Sequence, residues 1–269
     1  MLRRFSEYCR LYAGLGYLGL ICLLWGLPAI VLHPLLPARW GHPLGRWAAM
    51  RGFQSYLIFL RCIGACRFDL SELDALRDEK QGLILAPNHP SLLDAVMVIS
   101  KFPDVACIMK SGLMDNIFLG GGARLARYIR NDPPLSMIRQ ATQALEQGSF
   151  LLIFPEGTRT VLPPLNPCKP SIGLLAKRAQ VPVQTLLIET DTAFLGKGWP
   201  LFKCPPMPMT YRIRLGKRFS APQADVKGFT TEVETYLRGA VAQADMQPPN
   251  ASPIEAIPAL EFRERSPYA

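Results

Sequence analysis

The chain has 269 residues, a net charge of +9, a sequence pI near 9.4, 19% charged residues and a mean hydropathy of +0.13. That length buries one full core plus an appendage and leaves little room for two large domains; the hydropathy is high for a soluble protein and low for a polytopic one. A basic balance suits nucleic acid, an anionic membrane surface or acidic substrates, but no block of five like charges and no basic stripe interleaved with aromatics occurs, so nucleic acid is the weakest of the three.

The first element is apolar. Between Arg10 and Arg39 there is no Lys, Arg, Asp or Glu, and the run is long enough to cross a hydrocarbon core. A cleaved signal peptide is the competing reading; the stretch is too long for one and lacks an Ala-x-Ala exit. A core helix is disfavoured because such helices are rarely apolar on every face. Pro28, Pro34 and Pro37 break the second half, where the helix is expected to kink or turn back. Residues 43–67 follow, mixing Arg46, Arg51, Arg61 and Arg67 with Trp47, Phe53, Tyr56, Leu57 and Phe59. That mixture suits an interfacial helix lying on a membrane, and equally an amphipathic helix packed on the domain. Residues 1–68 are thus expected to form membrane-anchoring helices.

After residue 68 short apolar runs alternate with helical stretches. Residues 82–86, 105–109, 150–154, 181–189 and 211–215 read as strands, and 91–100, 136–148, 171–179 and about 229–243 as helices. The alternation predicts an α/β domain over 69–245, with a single mixed, partly parallel sheet flanked by helices. From 246 to 269 the chain is Pro-rich and expected to be disordered. The seven cysteines form no CxxC pair and read as small buried hydrophobes in a reducing compartment. Cys62 and Cys66, four apart on one expected helix, have no neighbouring His or Cys to complete a zinc set. No metal and no cofactor are expected.

Of three histidines, His33 and His42 belong to the apolar segment, which leaves His89 for the α/β domain. It follows an expected strand and precedes a helix whose first turn holds Asp94. A carboxylate there can meet imidazole Nδ1–H, fixing the tautomer and stabilising the imidazolium, while Nε2 accepts a proton from a hydroxyl. On spacing alone the pair is weak, since Ser91 could simply cap a helix beside it; its place at a strand's carboxyl end strengthens it. FPEGTR at 154–159 also follows a strand. Gly157 permits a tight turn with close approach of substrate to backbone, Arg159 offers a planar fork for a phosphate monoester, and Glu156 would orient Arg159 or bond a glycerol hydroxyl. An ordinary turn is the bland alternative.

Together NHPSLLD and FPEGTR resemble the first and third blocks of the glycerolipid acyltransferase family, typified by lysophosphatidic acid acyltransferase. Those blocks read Asn-His-x-Ser-x-x-Asp and Phe-Pro-Glu-Gly-Thr-Arg; both are matched in full, in order and about 65 residues apart. The resemblance implies catalysis by His89 and Asp94, with Asn88, Ser91, Glu156, Gly157, Thr158 and Arg159 around the substrate. ARYIRND resembles the second block and places its arginine at Arg130, and Lys110 matches a lysine usual after the second strand. The implied reaction is transfer of a fatty acyl group from acyl-CoA or acyl-carrier protein to the hydroxyl of a lyso-phospholipid, 1-acyl-glycerol-3-phosphate, in phospholipid synthesis at the cytoplasmic face of the inner or plasma membrane. Departures are Thr185 where the fourth block has a second proline, Ser111 and Gly112 after Lys110, and proline downstream of Arg159, although Lys169 survives. They leave room for another acceptor, such as a lyso-ornithine lipid or a specialised membrane lipid. They also leave room for a catalytically silent lipid-binding relative. A serine hydrolase is disfavoured because no Gly-x-Ser-x-Gly elbow occurs.

Overall fold

The computed structural model describes residues 2–116 and 119–245. The expected disordered tail, 246–269, lies outside the described residues. α1 (Leu2–Leu35) and α2 (Ala38–Cys62) precede β1 (Cys66–Asp69) and a short 3-10 helix (Ser71–Leu76). Then come β2 (Leu83–Pro87), α3 (Leu93–Ile99), β3 (Val105–Met109), α4 (Ser111–Met114), α5 (Gly120–Leu125) and β4 (Ile129–Arg130). The remainder is α6 (Pro134–Glu146), β5 (Phe150–Leu152), α7 (Ser171–Ala179), β6 (Val183–Thr190), β7 (Met209–Phe219) and α8 (Val226–Asp245).

The seven strands form one sheet in the order β1-β7-β6-β2-β5-β3-β4, parallel throughout except for the antiparallel β6–β7 pair. It is the mixed sheet expected from the alternation. Helices cover both faces, which is why the central strands read as unbroken apolar runs. Leu83, Leu85 and Leu152 pack with Tyr56, Leu57, Leu60 and Met97 on one face. Ile84, Ala86 and Leu151 meet Ile138, Leu145, Leu175 and Val233 on the other. The period-2 alternation of strand side chains separates the two cores.

α1 runs through Pro28 and Pro34 without turning; the chain reverses only at Leu36 and Pro37. A helix can lose one internal hydrogen bond and continue, whereas Pro37, at φ −55 and ψ 144, is extended. α2 then returns along α1. The Tyr17 and Phe59 rings stack at 4.1 Å, Tyr17 Oη and Ser55 Oγ are 2.6 Å apart, and Arg10 Nη1 donates to the Gly64 carbonyl.

α2 is packed on the domain, the second of the two readings its sequence allowed. Arg46 is buried, donating from Nε to the Ala126 carbonyl at 3.1 Å and from Nη1 to Ser149 Oγ at 2.8 Å and to Asp104. Arg46 therefore fastens α2 to the sheet layer. Cys62 and Cys66 do not share a helix, because the first ends α2 and the second opens β1. Only Cys66 and Cys107 are buried; Cys9 and Cys62 are exposed. α1 presents Leu20, Leu23, Leu24, Leu27, Ile30 and Val31 outward. It is the one helix among the described residues long and apolar enough to cross a membrane.

Candidate active site

The site gathers at the carboxyl ends of β2, β5 and β6, the edge where open parallel sheets place reactive groups. His89 lies two residues beyond β2. The chain turns at Pro90 and Ser91 into α3, so that Asp94, in its first turn, folds back beneath the imidazole. Asp94 Oδ2 stands 2.8 Å from His89 Nδ1 and accepts the Ser91 N–H at 2.8 Å. One face of the ring stacks on Phe154, two residues beyond β5, with centroids 3.7 Å apart. Contacts on Nδ1 and on the ring plane leave Nε2 without a hydrogen-bond partner among the described residues.

Asp94 is fully buried, and burial pushes its carboxyl up to about 6, against the opposing pull of His89 and the Ser91 amide. A charged carboxylate in that position is sustained by its donors. Its Oδ1 has no partner among the described residues, and the buried Tyr211 hydroxyl, beside Ser91 and Thr190, lies within reach of the Asp94 charge.

Glu156 joins the two motifs. Oε1 accepts the His89 N–H at 2.9 Å and the Thr160 hydroxyl at 2.8 Å, and Oε2 accepts the Asn166 N–H at 2.9 Å. The Thr160 N–H returns to the His89 carbonyl at 2.8 Å. Gly157 takes φ +70 at the head of this loop, a conformation that favours glycine. Arg159 donates through Nη1 to the Leu195 and Gly196 carbonyls, both at 2.8 Å.

Residues 67–189 match the family model described as Acyltransferase. The chain carries an acyltransferase domain. The 1-acyl-sn-glycerol-3-phosphate acyltransferase of Pseudomonas aeruginosa is 25% identical over 206 residues, 73% of this chain and 75% of that protein. The chloroplastic 1-acyl-sn-glycerol-3-phosphate acyltransferase BAT2 of Brassica napus is 24% identical over 180 residues, 64% of this chain and 49% of that one. Among solved structures, the 1-acyl-sn-glycerophosphate (LPA) acyltransferase PlsC of Thermotoga maritima superposes with a TM-score of 0.67 at 17% identity, covering 91% of this chain and 98% of that one; the likeness concerns the fold. Residues 67–189 are thus an acyltransferase domain similar to that of the relatives named for 1-acyl-sn-glycerol-3-phosphate.

The acyltransferase domain brings some expected site residues to the His–Asp pair and sends others elsewhere. Asn88 is buried and acts as an extra rung of the sheet, donating to the Ile188 carbonyl at 2.9 Å and accepting the Ile188 N–H at 2.7 Å. Ser91 is buried too; its hydroxyl donates to the Phe194 carbonyl at 3.0 Å. Both side chains are engaged by protein partners. Glu156 orients the His89 main chain, not Arg159, and its oxygens are occupied. Arg130, at the end of edge strand β4, donates from Nη2 to both Asp115 carboxylate oxygens, and Lys110 is exposed after β3. Thr158 is exposed and 3.1 Å from Lys197 Nζ.

Thr185 lies in β6 opposite Ala86, fully buried, and donates to the Lys217 carbonyl across an irregularity in the β6–β7 ladder. The fourth-block departure is thus a repair within the sheet. Motif reading missed the segment 191–199. It lies over both motifs, with the Leu195 carbonyl accepting the Leu92 N–H at 3.2 Å and Leu195 itself at φ +57. No residue pattern marks this loop; only the parallel neighbours β2 and β6 bring it there.

Proposed function

We propose that this acyltransferase is membrane-associated and moves a fatty acyl group from acyl-CoA or acyl-carrier protein to the free hydroxyl of 1-acyl-glycerol-3-phosphate, in phospholipid synthesis. The observation carrying the reading is the 2.8 Å contact between His89 Nδ1 and a buried Asp94, with Nε2 unengaged. The acceptor hydroxyl donates to Nε2, which takes its proton as the oxygen attacks the thioester carbonyl. Asp94 holds the ring and stabilises the imidazolium. The thiolate then leaves the tetrahedral intermediate, and the imidazolium supplies the proton that makes it a thiol. No protein nucleophile is required, because bound hydroxyl and thioester react directly once held together.

The backbone donors around α3 are spent: the Ser91, Leu92, Leu93 and Asp94 amides all bond within the protein. The oxyanion's donors are therefore assigned to the Thr158 and Arg159 amides of the 157–159 turn, since the Gly157 N–H is taken by the Phe154 carbonyl. The relatives from Pseudomonas and Brassica, both named for 1-acyl-sn-glycerol-3-phosphate, support this acceptor. The interior position of Thr185 removes a reason to prefer another. Residues 1–68 serve as the anchor for the 69–245 domain, with the apolar face of α1 in the membrane and the site on its cytoplasmic side. Expression in a strain lacking lysophosphatidate acylation tests the reading. Rescue of growth is expected; failure with the protein present in membranes would reject the acceptor.

A further inference from the structure

We propose that Lys197 is the cation that receives the acceptor's phosphate, and so sets the preference for a phosphate-bearing lyso-lipid; the inference rests on the lysophosphatidate reading above. In lysophosphatidate the free hydroxyl and the phosphate are separated by two carbons and an ester oxygen. A hydroxyl placed at His89 Nε2 therefore keeps the phosphate within a few bonds of that nitrogen, and on this proposal it lies over the loop that grips the His89 main chain. That loop is 154–160, with Glu156 on the His89 N–H and Thr160 on its carbonyl. Its exposed crest is Gly157–Thr158.

The charged motif residues at this crest are committed to protein partners. Glu156 already accepts from three donors, and Arg159 spends Nη1 on two carbonyls of the 191–199 segment. Lys197 is exposed, its Nζ sits 3.1 Å from Thr158 Oγ1, and no carboxylate pairs with it among the described residues. An ammonium and a hydroxyl at that separation can bond one phosphate together. The Lys169 stem crosses the same crest, with its Cγ 3.3 Å from where a Cβ on Gly157 would lie, which adds positive charge.

The segment carrying Lys197 is held from both motifs. Ser91 Oγ bonds the Phe194 carbonyl, Leu92 N–H and Arg159 bond the Leu195 carbonyl, and the Phe194 and Trp199 rings meet edge to face at 6.2 Å. Arg159 on this account acts largely by positioning the loop, and Lys197 makes the ligand contact.

The test is steady-state kinetics of the full chain in mixed micelles, with lysophosphatidate at a fixed surface fraction. Lys197→Gln is expected to raise KM for lysophosphatidate by about tenfold while kcat stays within about twofold, the pattern of lost uniform binding. Lys197→Arg should restore most of the affinity, and both variants should keep the wild-type melting temperature because the side chain is exposed. An unchanged KM in Lys197→Gln, with the wild type active on lysophosphatidate, overturns this inference alone. Absence of transfer to lysophosphatidate by the wild type overturns the acceptor reading and this inference with it.

Discussion

The backbone N–H of His89 donates to Glu156 Oε1 at 2.9 Å, joining motifs 67 positions apart in the chain. The bond fixes the main chain from which the imidazole projects, and the Glu156 carboxylate holds two further donors, Thr160 and Asn166. Glu156→Gln brings an amide donor against one of these. The variant should lose about 1–3 kcal/mol of stability and on the order of tenfold in kcat, through displacement of His89 and not loss of a substrate contact. Urea unfolding alongside kinetics separates the two effects; a higher KM at wild-type kcat and stability would show that Glu156 binds the acceptor instead.

Asp94 should give the activity an acid limb. Burial raises its carboxyl to about 6, so the His89–Asp94 pair gains a proton as pH falls through that region, and the base is lost. kcat/KM is expected to decline below about 6. Asp94→Asn, which cannot stabilise an imidazolium, should lower kcat on the order of 10²- to 10⁴-fold. The stability effect has the opposite sense. A raised carboxyl contributes in full below its ordinary range near 3.8, and that contribution disappears as pH rises through about 6. Asp94→Asn should therefore gain on the wild type between pH 4 and 7 in denaturant titrations.

Arg46 predicts how the amino-terminal hairpin is held. It is nearly enclosed and serves the Ala126 carbonyl, Ser149 and Asp104 at once. Arg46→Ala leaves these acceptors unmet and should cost about 2–4 kcal/mol. Limited proteolysis should then cut near the α2–β1 junction sooner than in the wild type; equal cleavage rates would argue against the role.

Gly121 tests the α1 crossing. A Cβ there would collide with the Gly26 carbonyl and press on Ile30. Gly121→Ala should force α1 and α5 apart at a cost of about 1–3 kcal/mol, measurable by thermal unfolding, with the site chemistry retained.

Much of the domain was legible from periodicity. The expected helix over 171–179 is α7 (Ser171–Ala179), and the strand over 105–109 is β3 (Val105–Met109). β1 and β4 were not, because four and two residues carry no periodicity and are strands only through their partners β7 and β3. His89 and Asp94 could be paired from five-residue spacing because one turn of chain connects them. Asn88 and Ser91 look like ligands in a motif, yet their partners, Ile188 and Phe194, stand 100 and 103 positions away. Arg46 is the same case in reverse: its sequence neighbours suggest a surface, and its burial depends on three distant acceptors.

The central claim is that His89 Nε2 takes the acceptor's proton. Its most direct test is the rate of thioester consumption by purified His89→Ala with lysophosphatidate at saturation. The account predicts a fall on the order of 10²- to 10⁴-fold, with unchanged unfolding temperature and membrane association. A variant that keeps the wild-type rate would contradict it.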